Sequence, residues 1–510
     1  MPVAAKKLPY YAAGWKQSKT AKYMDCYDPS TGDVIALAPQ CTVDEVNDAV
    51  AAAAAAYPAW SSTIAVKRVQ VLYRMKALMD RHLDELTRLV ATEHGKVLDE
   101  AMGDVFRCVE VMEYACGIPH LMKGPTVMNA TQGYDTAQYM EPLGVFAGIV
   151  PWNFPAMLPM GWMAPLCVAT GNTMVLKLAS FVPQSAIRIM ELWEEAGLPK
   201  GVINLVTCSR NEAEILLRHP TIKGVSFVGS TSVGKHIYAT AAANGKRVQA
   251  LTEAKNHALV LRDAALDRSA AGIVSSACGC AGERCMALPV AVVEEAIADQ
   301  FVDLLASKMK ALKIGPAYNK DSQLGPLVNA DHRQSVIAWI EKGVQEGARL
   351  VLDGRCVKVP GFEKGFYLGP TLFDHVKPEM SIGNKEVFGP VLCVKRVKSF
   401  DEGVELMNAN EFGNGSSIYT QSGYYAREFT RRTQGGMVGI NVGIPVPHGM
   451  FGFTGQKNSF FGDLHTMGMD GIRFFTEQKT VSTHWFSEAE AREGKVANSW
   501  DGMVNLPDKK

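Results

Sequence analysis

Gly144-Val-Phe-Ala-Gly-Ile-Val150 is the first of four short apolar runs in the middle of the chain. The others are Asn172-Thr-Met-Val-Leu-Lys-Leu178, Gly201-Val-Ile-Asn-Leu-Val-Thr207 and Gly224-Val-Ser-Phe-Val-Gly-Ser230. Segments with a helical pattern of apolar residues, such as 183–195 and 212–218, lie between them. Strands that alternate with helices predict a parallel, doubly wound α/β sheet.

A second alternating series follows this first one. Residues 258–261, 390–397 and 435–442 have the composition of buried strands, and residues 291–309 are predicted to form a helix. The series predicts a second α/β unit. At 510 residues, the chain is long enough for two or three domains.

The N-terminal region is predicted to be mostly helical. Thr42 and Glu45 have the spacing of a capping box, and the alanine-rich run after them predicts a helix that ends before Pro58. Apolar residues recur at helical spacing through residues 66–115.

The charge balance gives no sign of a nucleic-acid or anionic-membrane partner, although it leaves a local basic patch open. The 52 basic residues balance the 52 acidic residues, so no net charge points to nucleic acid or to an anionic membrane.

Eleven cysteines scattered through a long chain are typical of reduced thiols, and no apolar segment follows the first lysines as in a secretory signal. We therefore expect a cytoplasmic protein.

The stretch between Glu141 and Lys177 contains no charged residue, yet it does not have the pattern of a membrane span. Four prolines and four glycines interrupt every window of the about 20 residues that a spanning helix needs. We predict buried strands joined by a loop.

The segment Gly229-Ser-Thr-Ser-Val-Gly234-Lys235 has the spacing of a phosphate-binding loop between a strand and a helix. His236 stands where a nucleotide hydrolase needs a Ser or Thr for magnesium. A dinucleotide site is therefore favoured over a P-loop nucleotide hydrolase. A glycine turn that only packs strand against helix remains an alternative, as does a protein with no catalytic role.

Cys285 is a candidate nucleophile, because Arg284 precedes it and a neighbouring cation lowers the pKa of a thiol. A buried structural cysteine is the alternative. A metal site is not predicted, because Cys278, Cys280 and Cys285 lack the paired C-x-x-C spacing of structural zinc.

Six motifs together resemble the aldehyde dehydrogenase superfamily in order and approximate spacing. They are Pro151-Trp-Asn-Phe-Pro155, Gly171-Asn-Thr173 with Lys177, Phe227-Val-Gly-Ser-Thr231, Gly282-Glu-Arg-Cys285, Gly365-Phe-Tyr-Leu-Gly-Pro-Thr371 and Glu386-Val-Phe-Gly-Pro390. The resemblance covers nearly the whole chain. It implies a Rossmann-type cofactor domain, a catalytic α/β domain and a small β oligomerisation element.

Four further features resemble the CoA-acylating methylmalonate-semialdehyde dehydrogenases, namely residues 245–250, residues 254–257, Met286 and residues 462–465. Members of that branch oxidise malonate or methylmalonate semialdehyde with NAD and transfer the acyl group to coenzyme A, with loss of carbon dioxide. The resemblance implies the same substrates, cofactor and cosubstrate here. It also implies a homo-oligomer, either a dimer or a homotetramer.

The resemblance also implies roles for individual residues. Cys285 corresponds to the nucleophile and Asn153 to the donor for the oxyanion, while Arg107 and Arg284 correspond to the arginines that bind the substrate carboxylate. The cofactor-binding set that it implies is Trp152, Lys177, Ser180, Gly229, Ser230, Gly234, Glu386 and Phe388.

Three positions depart from the superfamily pattern. Leu251 stands where hydrolytic members carry a glutamate that activates water, which favours transfer to coenzyme A. Glu253 stands where Gly is usual, so it is either a replacement base, which would allow hydrolysis to the free acid, or the partner of a residue such as Lys255. Ser180 replaces a carboxylate near the cofactor ribose, so NADP is expected to be tolerated beside NAD.

The resemblance implies a division of the chain into three parts. Residues 1–123 and 142–251 are expected to form the NAD(P)-binding domain, and residues 252–445 the catalytic domain. Residues 124–141 and 446–510 are expected to form the oligomerisation element and a C-terminal surface segment.

Overall fold

A computed structural model describes residues 5–131 and 133–493. Its α-helices are α1 Val43–Ser62, α2 Ala65–Arg81, α3 Leu83–His94, α4 Leu98–Cys116, α5 Ile118–Leu121, α6 Ala164–Ala169, α7 Gln184–Glu195, α8 Arg210–Arg218, α9 Thr231–Ala243, α10 Leu266–Cys278, α11 Glu295–Lys310, α12 Ala330–Gln345, α13 Phe400–Asn408, α14 Gly423–Arg432, α15 Gly468–Phe474 and α16 Glu488–Glu493. A π-helical segment covers Met157–Met163, and short 3₁₀ turns cover Gly279–Gly282 and Ser381–Gly383.

The strands form five sheets. In chain order they are β1 Lys6–Lys7, β2 Tyr10–Tyr11, β3 Trp15–Lys16, β4 Tyr23–Asp28, β5 Asp33–Pro39, β6 Thr126–Thr131, β7 Tyr134–Pro142, β8 Val145–Ile149, β9 Thr173–Leu178, β10 Ile203–Thr207, β11 Ile222–Val228, β12 Arg247–Leu251, β13 His257–Val260, β14 Val290–Glu294, β15 Arg349–Leu352, β16 Thr371–Asp374, β17 Val391–Val397, β18 Phe412–Gly413, β19 Gly415–Tyr419, β20 Met437–Ile440, β21 Gln456–Lys457, β22 Phe460–Gly462 and β23 Thr476–His484. Besides the two large sheets, a small sheet orders β1-β5-β4 and β18 pairs with β21.

The first large sheet confirms the predicted doubly wound pattern. Its order is β22-β12-β11-β8-β9-β10-β2-β3, and β8 to β12 run parallel. The chain moves outward from β8 through β9 and β10, then returns to place β11 on the other side of β8. The order therefore reverses between β8 and β11, and a crevice at the carboxyl ends of these strands is where α/β sheets bind ligands.

Alternating side chains divide this sheet between two hydrophobic cores. Phe146 and Leu176 pack with the helices that follow residue 65, whereas Val145, Ala147 and Val175 pack against α1, α8 and α9. This alternation is the period of two expected of a strand that is buried on both faces. The sheet is therefore a fixed platform for the loops at its edge.

The second large sheet has the order β15-β16-β17-β14-β13-β19-β20. The predicted second α/β unit is confirmed, but the single helix predicted over 291–309 was wrong. Val290–Glu294 is a central, fully buried strand, and the helix begins at Glu295. The run of β-branched residues favours the strand, since β13 and β17 flank it with backbone partners on both sides.

The predicted capping box at Thr42 and Glu45 is present, but α1 does not end before Pro58. The helix continues to Ser62 because tertiary contacts hold its last turns. The Tyr57 hydroxyl donates to the Pro142 carbonyl at 2.9 Å, and the Trp60 indole donates to the Val168 carbonyl at 3.0 Å. These contacts offset the hydrogen bond that proline cannot make.

The stretch without charged residues forms β8 and β9, as predicted, but helix replaces the predicted loop between them. Met157–Met163 and α6 are completely buried, because α4 and the sheet surround them. Among the described helices, no single one is long and apolar enough to span a membrane. Within the described residues, only α1 and α2 together reach that length and apolarity, and the two helices are bent by 116° to each other.

A three-stranded antiparallel sheet, β23-β7-β6, joins residues near 126–142 to residues 476–484. Strand β22 precedes β23 in the chain, and it pairs with β12 at the edge of the first large sheet. Near the end of the described residues, α16 is exposed. Residues 1–4, 132 and 494–510 of the predicted domains lie outside the described part of the chain.

Candidate active site

Cys285 opens into a cavity of about 540 Å³. Helix α4, the π-helical segment, the loop after α10 and the segment near residues 444–453 form its walls. Arg107, Arg284, Phe154 and Trp162 are among its lining residues. The cavity therefore combines one thiol with two guanidinium groups and aromatic surface.

The backbone before Cys285 is sharply bent. Cys280 and Ala281 have φ values of 48° and 52°, in the left-handed region. On the far side of the bend, the Asn256 and Asn414 amides donate to the Cys285 carbonyl at 2.9 and 3.0 Å. These side chains hold the cysteine in place, and the structure leaves its side chain half-buried.

The expectation that Arg284 lowers the pKa of the Cys285 thiol is not met. Burial raises that pKa to about 12, and the nearby Glu386 carboxylate raises it further. Arg284 directs its Nε to the Cys280 sulfur at 3.2 Å and its Nη2 to Glu100 at 2.7 Å. The guanidinium is therefore bound to Cys280 and Glu100, and burial favours the neutral form of the Cys285 thiol.

Asn153 contacts the loop that carries Cys285, and its side chain is buried. Its Nδ2 donates to the Glu283 carbonyl at 3.2 Å, two residues before Cys285 in the chain. Because a primary amide carries two N–H donors, one N–H remains beyond this bond. Asn153 is therefore positioned by the same loop that carries the thiol.

Both cavity arginines have carboxylate partners that the sequence interpretation missed. Arg107 Nη1 lies 2.6 Å from Glu110, and the same carboxyl group accepts hydrogen bonds from His448 and the Gly449 N–H. Glu110 follows Arg107 by three residues on α4, a spacing at which helical side chains meet. That spacing was a usable signal, whereas the Arg284–Glu100 pair depends on tertiary contact.

A buried ion pair lies at the wall of the cavity. Lys96 Nζ and the Asp104 carboxylate lie 2.8 Å apart, and both side chains are fully buried. Asp104 also accepts the Met157 N–H at 2.7 Å, and Lys96 Nζ lies 3.5 Å from the centre of the Phe154 ring. The pair fixes α4 against the π-helical segment, and no local sequence pattern indicates it.

A second cavity, of about 270 Å³, lies where the strand order reverses. The ends of β8 and β11 line it, together with Lys177, Gly229 and Ser230 of the predicted cofactor set and apolar residues of α8 and α9. The lining combines polar side chains such as Lys177 and Ser230 with apolar walls, a combination that suits a dinucleotide. The predicted phosphate-binding loop therefore lines this cavity through Gly229 and Ser230.

The glycines of this region also serve packing. A Cβ on Gly234 would lie 2.3 Å from Thr252 Cγ2, and one on Gly229 would lie 2.6 Å from Phe227 Cζ. Both glycines thus allow α9 to approach the sheet. Packing therefore requires glycine at both positions, while Lys177 and Ser230 are polar residues of the predicted set that line the cavity.

Trp152 and Phe388, both predicted to contact the cofactor, lie 5.4 Å apart between ring centres. His332, which sequence reasoning missed, lies 5.0 Å from Trp152 and bonds through Nε2 to the Phe388 carbonyl at 2.7 Å. Ser180 is buried beyond the end of β9. Trp152, His332 and Phe388 therefore form an aromatic cluster, and residue 180 carries no carboxylate.

Glu386 is half-buried near the thiol, and its carboxyl group accepts the Ala254 N–H at 3.0 Å. Burial raises the pKa of Glu386 to about 8, and the Glu253 charge adds to the increase. Glu386 is therefore mostly neutral at pH 7.

Glu253 Oε2 accepts the Thr231 N–H at 2.8 Å, at the first residue of α9. The alternative in which Glu253 pairs with Lys255 is not realised: within the described residues, the buried Lys255 Nζ has no hydrogen-bond partner. Leu251 is buried in β12. In residues 5–131 and 133–493, no group of three or more His, Cys, Asp or Glu side chains is arranged to hold a metal ion.

Comparison with known proteins places these features in a family. The model of the aldehyde dehydrogenase family matches residues 15–481. A malonate-semialdehyde dehydrogenase of Pseudomonas aeruginosa is 45% identical over 474 residues, which are 93% of this chain and 95% of that protein.

Solved structures of aldehyde dehydrogenases superpose on this chain over nearly its whole length. The methylmalonate-semialdehyde dehydrogenase of Oceanimonas doudoroffii superposes with a TM-score of 0.93 at 42% identity, covering 96% of this chain and 100% of that one. An NAD-dependent aldehyde dehydrogenase of Sinorhizobium meliloti superposes with a TM-score of 0.90 at 30% identity, covering 97% and 96%. The chain therefore belongs to the aldehyde dehydrogenase family.

Proposed function

We propose that this enzyme oxidises a short carboxylated aldehyde of the malonate or methylmalonate semialdehyde type through a thioester on Cys285. The observation that carries the proposal is one cavity that holds the Cys285 thiol together with Arg107 and Arg284. Guanidinium groups match a carboxylate in a planar, bidentate manner. The names of the relatives from Pseudomonas aeruginosa and Oceanimonas doudoroffii support the same substrate class.

The chain's own groups supply the first steps. The Cys285 sulfur adds to the aldehyde carbon, and the thiol proton passes to water. Asn153 Nδ2 and the Cys285 backbone N–H stabilise the resulting oxyanion. Bound NAD(P)⁺ supplies the acceptor for the hydride, and the thioester remains on Cys285.

We assign the cofactor to the cavity at the strand reversal, with the predicted set of Lys177, Gly229, Ser230 and Gly234 at the dinucleotide and Trp152, Glu386 and Phe388 toward the thiol. NAD is the expected cofactor, as the name of the Sinorhizobium meliloti relative says of that protein. NADP is tolerated, because Ser180 presents no charge that would repel a 2′-phosphate.

Coenzyme A is the proposed acyl acceptor. The buried Leu251 offers no base for water, and Glu253 is bound to the start of α9. A thiol is a stronger nucleophile than water, so a site without a water-activating carboxylate favours transfer. Hydrolysis to the free acid is the second candidate, because Glu253 is a carboxylate on a side chain that can rotate.

We further propose the three-part domain organisation, with the β23-β7-β6 sheet in the oligomerisation element of a cytoplasmic homo-oligomer, either a dimer or a tetramer. The outer strands of that sheet are exposed along most of their length. Exposed strand edges are surfaces on which a second copy can pair.

The deciding experiment follows NADH and products with malonate semialdehyde, with and without coenzyme A. We expect a burst of about one NADH per subunit without coenzyme A, because the thioester cannot turn over, and steady formation of acyl-CoA with it. Cys285→Ala must abolish both signals, and Cys356→Ala, which changes an exposed thiol, must leave them unchanged.

One outcome would contradict the proposed acyl acceptor, and another would contradict the proposed substrate class. Steady release of free acid without coenzyme A, lost in Glu253→Gln, would make the enzyme hydrolytic. Equal turnover of propanal and malonate semialdehyde would remove the carboxylate argument and leave a general aldehyde dehydrogenase.

A further inference from the structure

The Glu253 carboxylate acts as a helix cap. The N-cap residue of α9, Ser230, makes no side-chain capping bond, and Glu253 accepts the Thr231 N–H instead. An acidic group is stabilised at this end of a helix, where the backbone N–H groups and the helix dipole favour negative charge. The cap therefore comes from a residue 22 positions away.

The backbone around this cap is fixed. Ser459 Oγ donates to the Glu253 carbonyl at 2.7 Å, Thr252 Oγ1 donates to the Asn458 carbonyl at 2.6 Å, and Thr231 Oγ1 donates to the same carbonyl at 3.3 Å. The segment at residues 458–459 thus ties Glu253 to α9 through main-chain atoms. Only the Glu253 side chain is left to move.

The cap carries a charge without a paired cation. Among the described residues Glu253 makes no ion pair, and Lys235 on α9 lies over the Phe461 ring at 5.6 Å. The first turn of α9 also lines the 270 Å³ cavity through Ser230 and Val233. The Glu253 carboxylate is therefore bound to Thr231, the residue that follows the cavity-lining Ser230.

We propose that the Glu253 carboxylate competes with the cofactor's diphosphate for the start of α9, and that Glu253 thereby sets cofactor affinity. The inference rests on the proposed function, because it places the dinucleotide in this cavity. The Thr231 N–H cannot be shared between two anions at hydrogen-bond distance, so the carboxylate has to rotate away when a phosphate arrives. Binding of an uncharged nucleoside is independent of this movement.

The test measures binding by calorimetry, with ADP as the diphosphate probe and adenosine as the uncharged probe. Glu253→Gln removes the charge, and Glu253→Ala removes the cap. We expect ADP and NADH to bind about two- to fivefold more tightly in both variants at low salt, which is the range of a helix-dipole interaction. High KCl should reduce this gain, and adenosine affinity should not change.

Glu341→Gln is the matched control, because Glu341 is an exposed glutamate on α12 and its loss changes net charge equally. Unchanged ADP affinity in both Glu253 variants would overturn the inference while leaving the proposed function intact. An equal gain in Glu341→Gln would overturn it too, since net charge would then be the cause. Failure of wild-type protein to bind ADP, NADH and NADPH would instead overturn the cofactor assignment itself.

Discussion

The Arg284 guanidinium lies 2.7 Å from the Glu100 carboxylate, inside the cavity that also contains Cys285. The same carboxyl group accepts the Cys280 N–H through its second oxygen. Glu100 therefore holds both the arginine and the bend in the nucleophile loop. A substrate carboxylate that binds Arg284 has to compete with Glu100 or share the guanidinium with it.

Glu100→Gln should strengthen binding of carboxylated aldehydes, because it removes the competing charge and keeps an oxygen for Cys280. We expect KM for malonate semialdehyde to fall about three- to tenfold, and KM for propanal to change little. Asp99→Asn is the control, since Asp99 lines the same cavity and makes no ion pair among the described residues. A rise in KM for both aldehydes would show that Glu100 is needed only to hold the loop.

Arg107→Ala should reduce kcat/KM for malonate semialdehyde by the equivalent of about 1.5 to 3 kcal/mol, the loss of one charge-assisted contact. Arg107→Lys keeps the charge without the planar fork and should lose less. Steady-state kinetics with propanal give the reference. Equal losses for the two aldehydes in Arg107→Ala would mean that Arg107 serves only its pair with Glu110.

Alkylation of Cys285 by iodoacetamide should accelerate with pH. Burial raises the thiol pKa to about 12, so the thiolate is scarce at neutral pH, and the rate should rise about tenfold per pH unit from pH 7 to 9. Peptide mass spectrometry in a Cys356→Ser background measures this rate. A plateau below pH 8 would show that the thiol is already ionised.

Glu386→Gln should change how the rate of Cys285 alkylation depends on pH. With a pKa of about 8, Glu386 is mostly uncharged at pH 7 and charged above pH 8. Its negative charge opposes the thiolate, so the substitution should speed alkylation above pH 8 and have little effect at pH 7. An equal acceleration at both pH values would point to a change in access instead.

Ser180→Glu should penalise NADPH relative to NADH by about tenfold, because the new carboxylate repels the 2′-phosphate. Fluorescence titration of both reduced cofactors gives the two dissociation constants. Ser180→Ala is the neutral control and should preserve the wild-type ratio. If the ratio is the same in all three proteins, residue 180 does not face the ribose.

The predictions from sequence succeeded where local pattern and structure are linked directly. The apolar runs at 145–149, 173–178 and 203–207 are strands, because a parallel sheet buried on both faces needs continuous apolar segments. The predictions failed where the apolar pattern fits both helix and strand, or where tertiary contacts override a local preference. Val290–Glu294 reads equally well as helix or strand until its neighbours pair with it, and Pro58 ends a helix only if no tertiary contact holds the following turn.

The amino-acid sequence by itself determined the family, the strands β8 to β11 that apolar runs mark and the identity of the candidate nucleophile, because motifs and periodicity are local properties. Only the tertiary structure decided which partners the charged residues have. Glu100 and Arg284 are 184 residues apart, and Glu253 and Thr231 are 22 apart. Such pairs form because the packed sheets bring distant segments together, and an electrostatic interaction depends on distance in space, which the sequence does not contain.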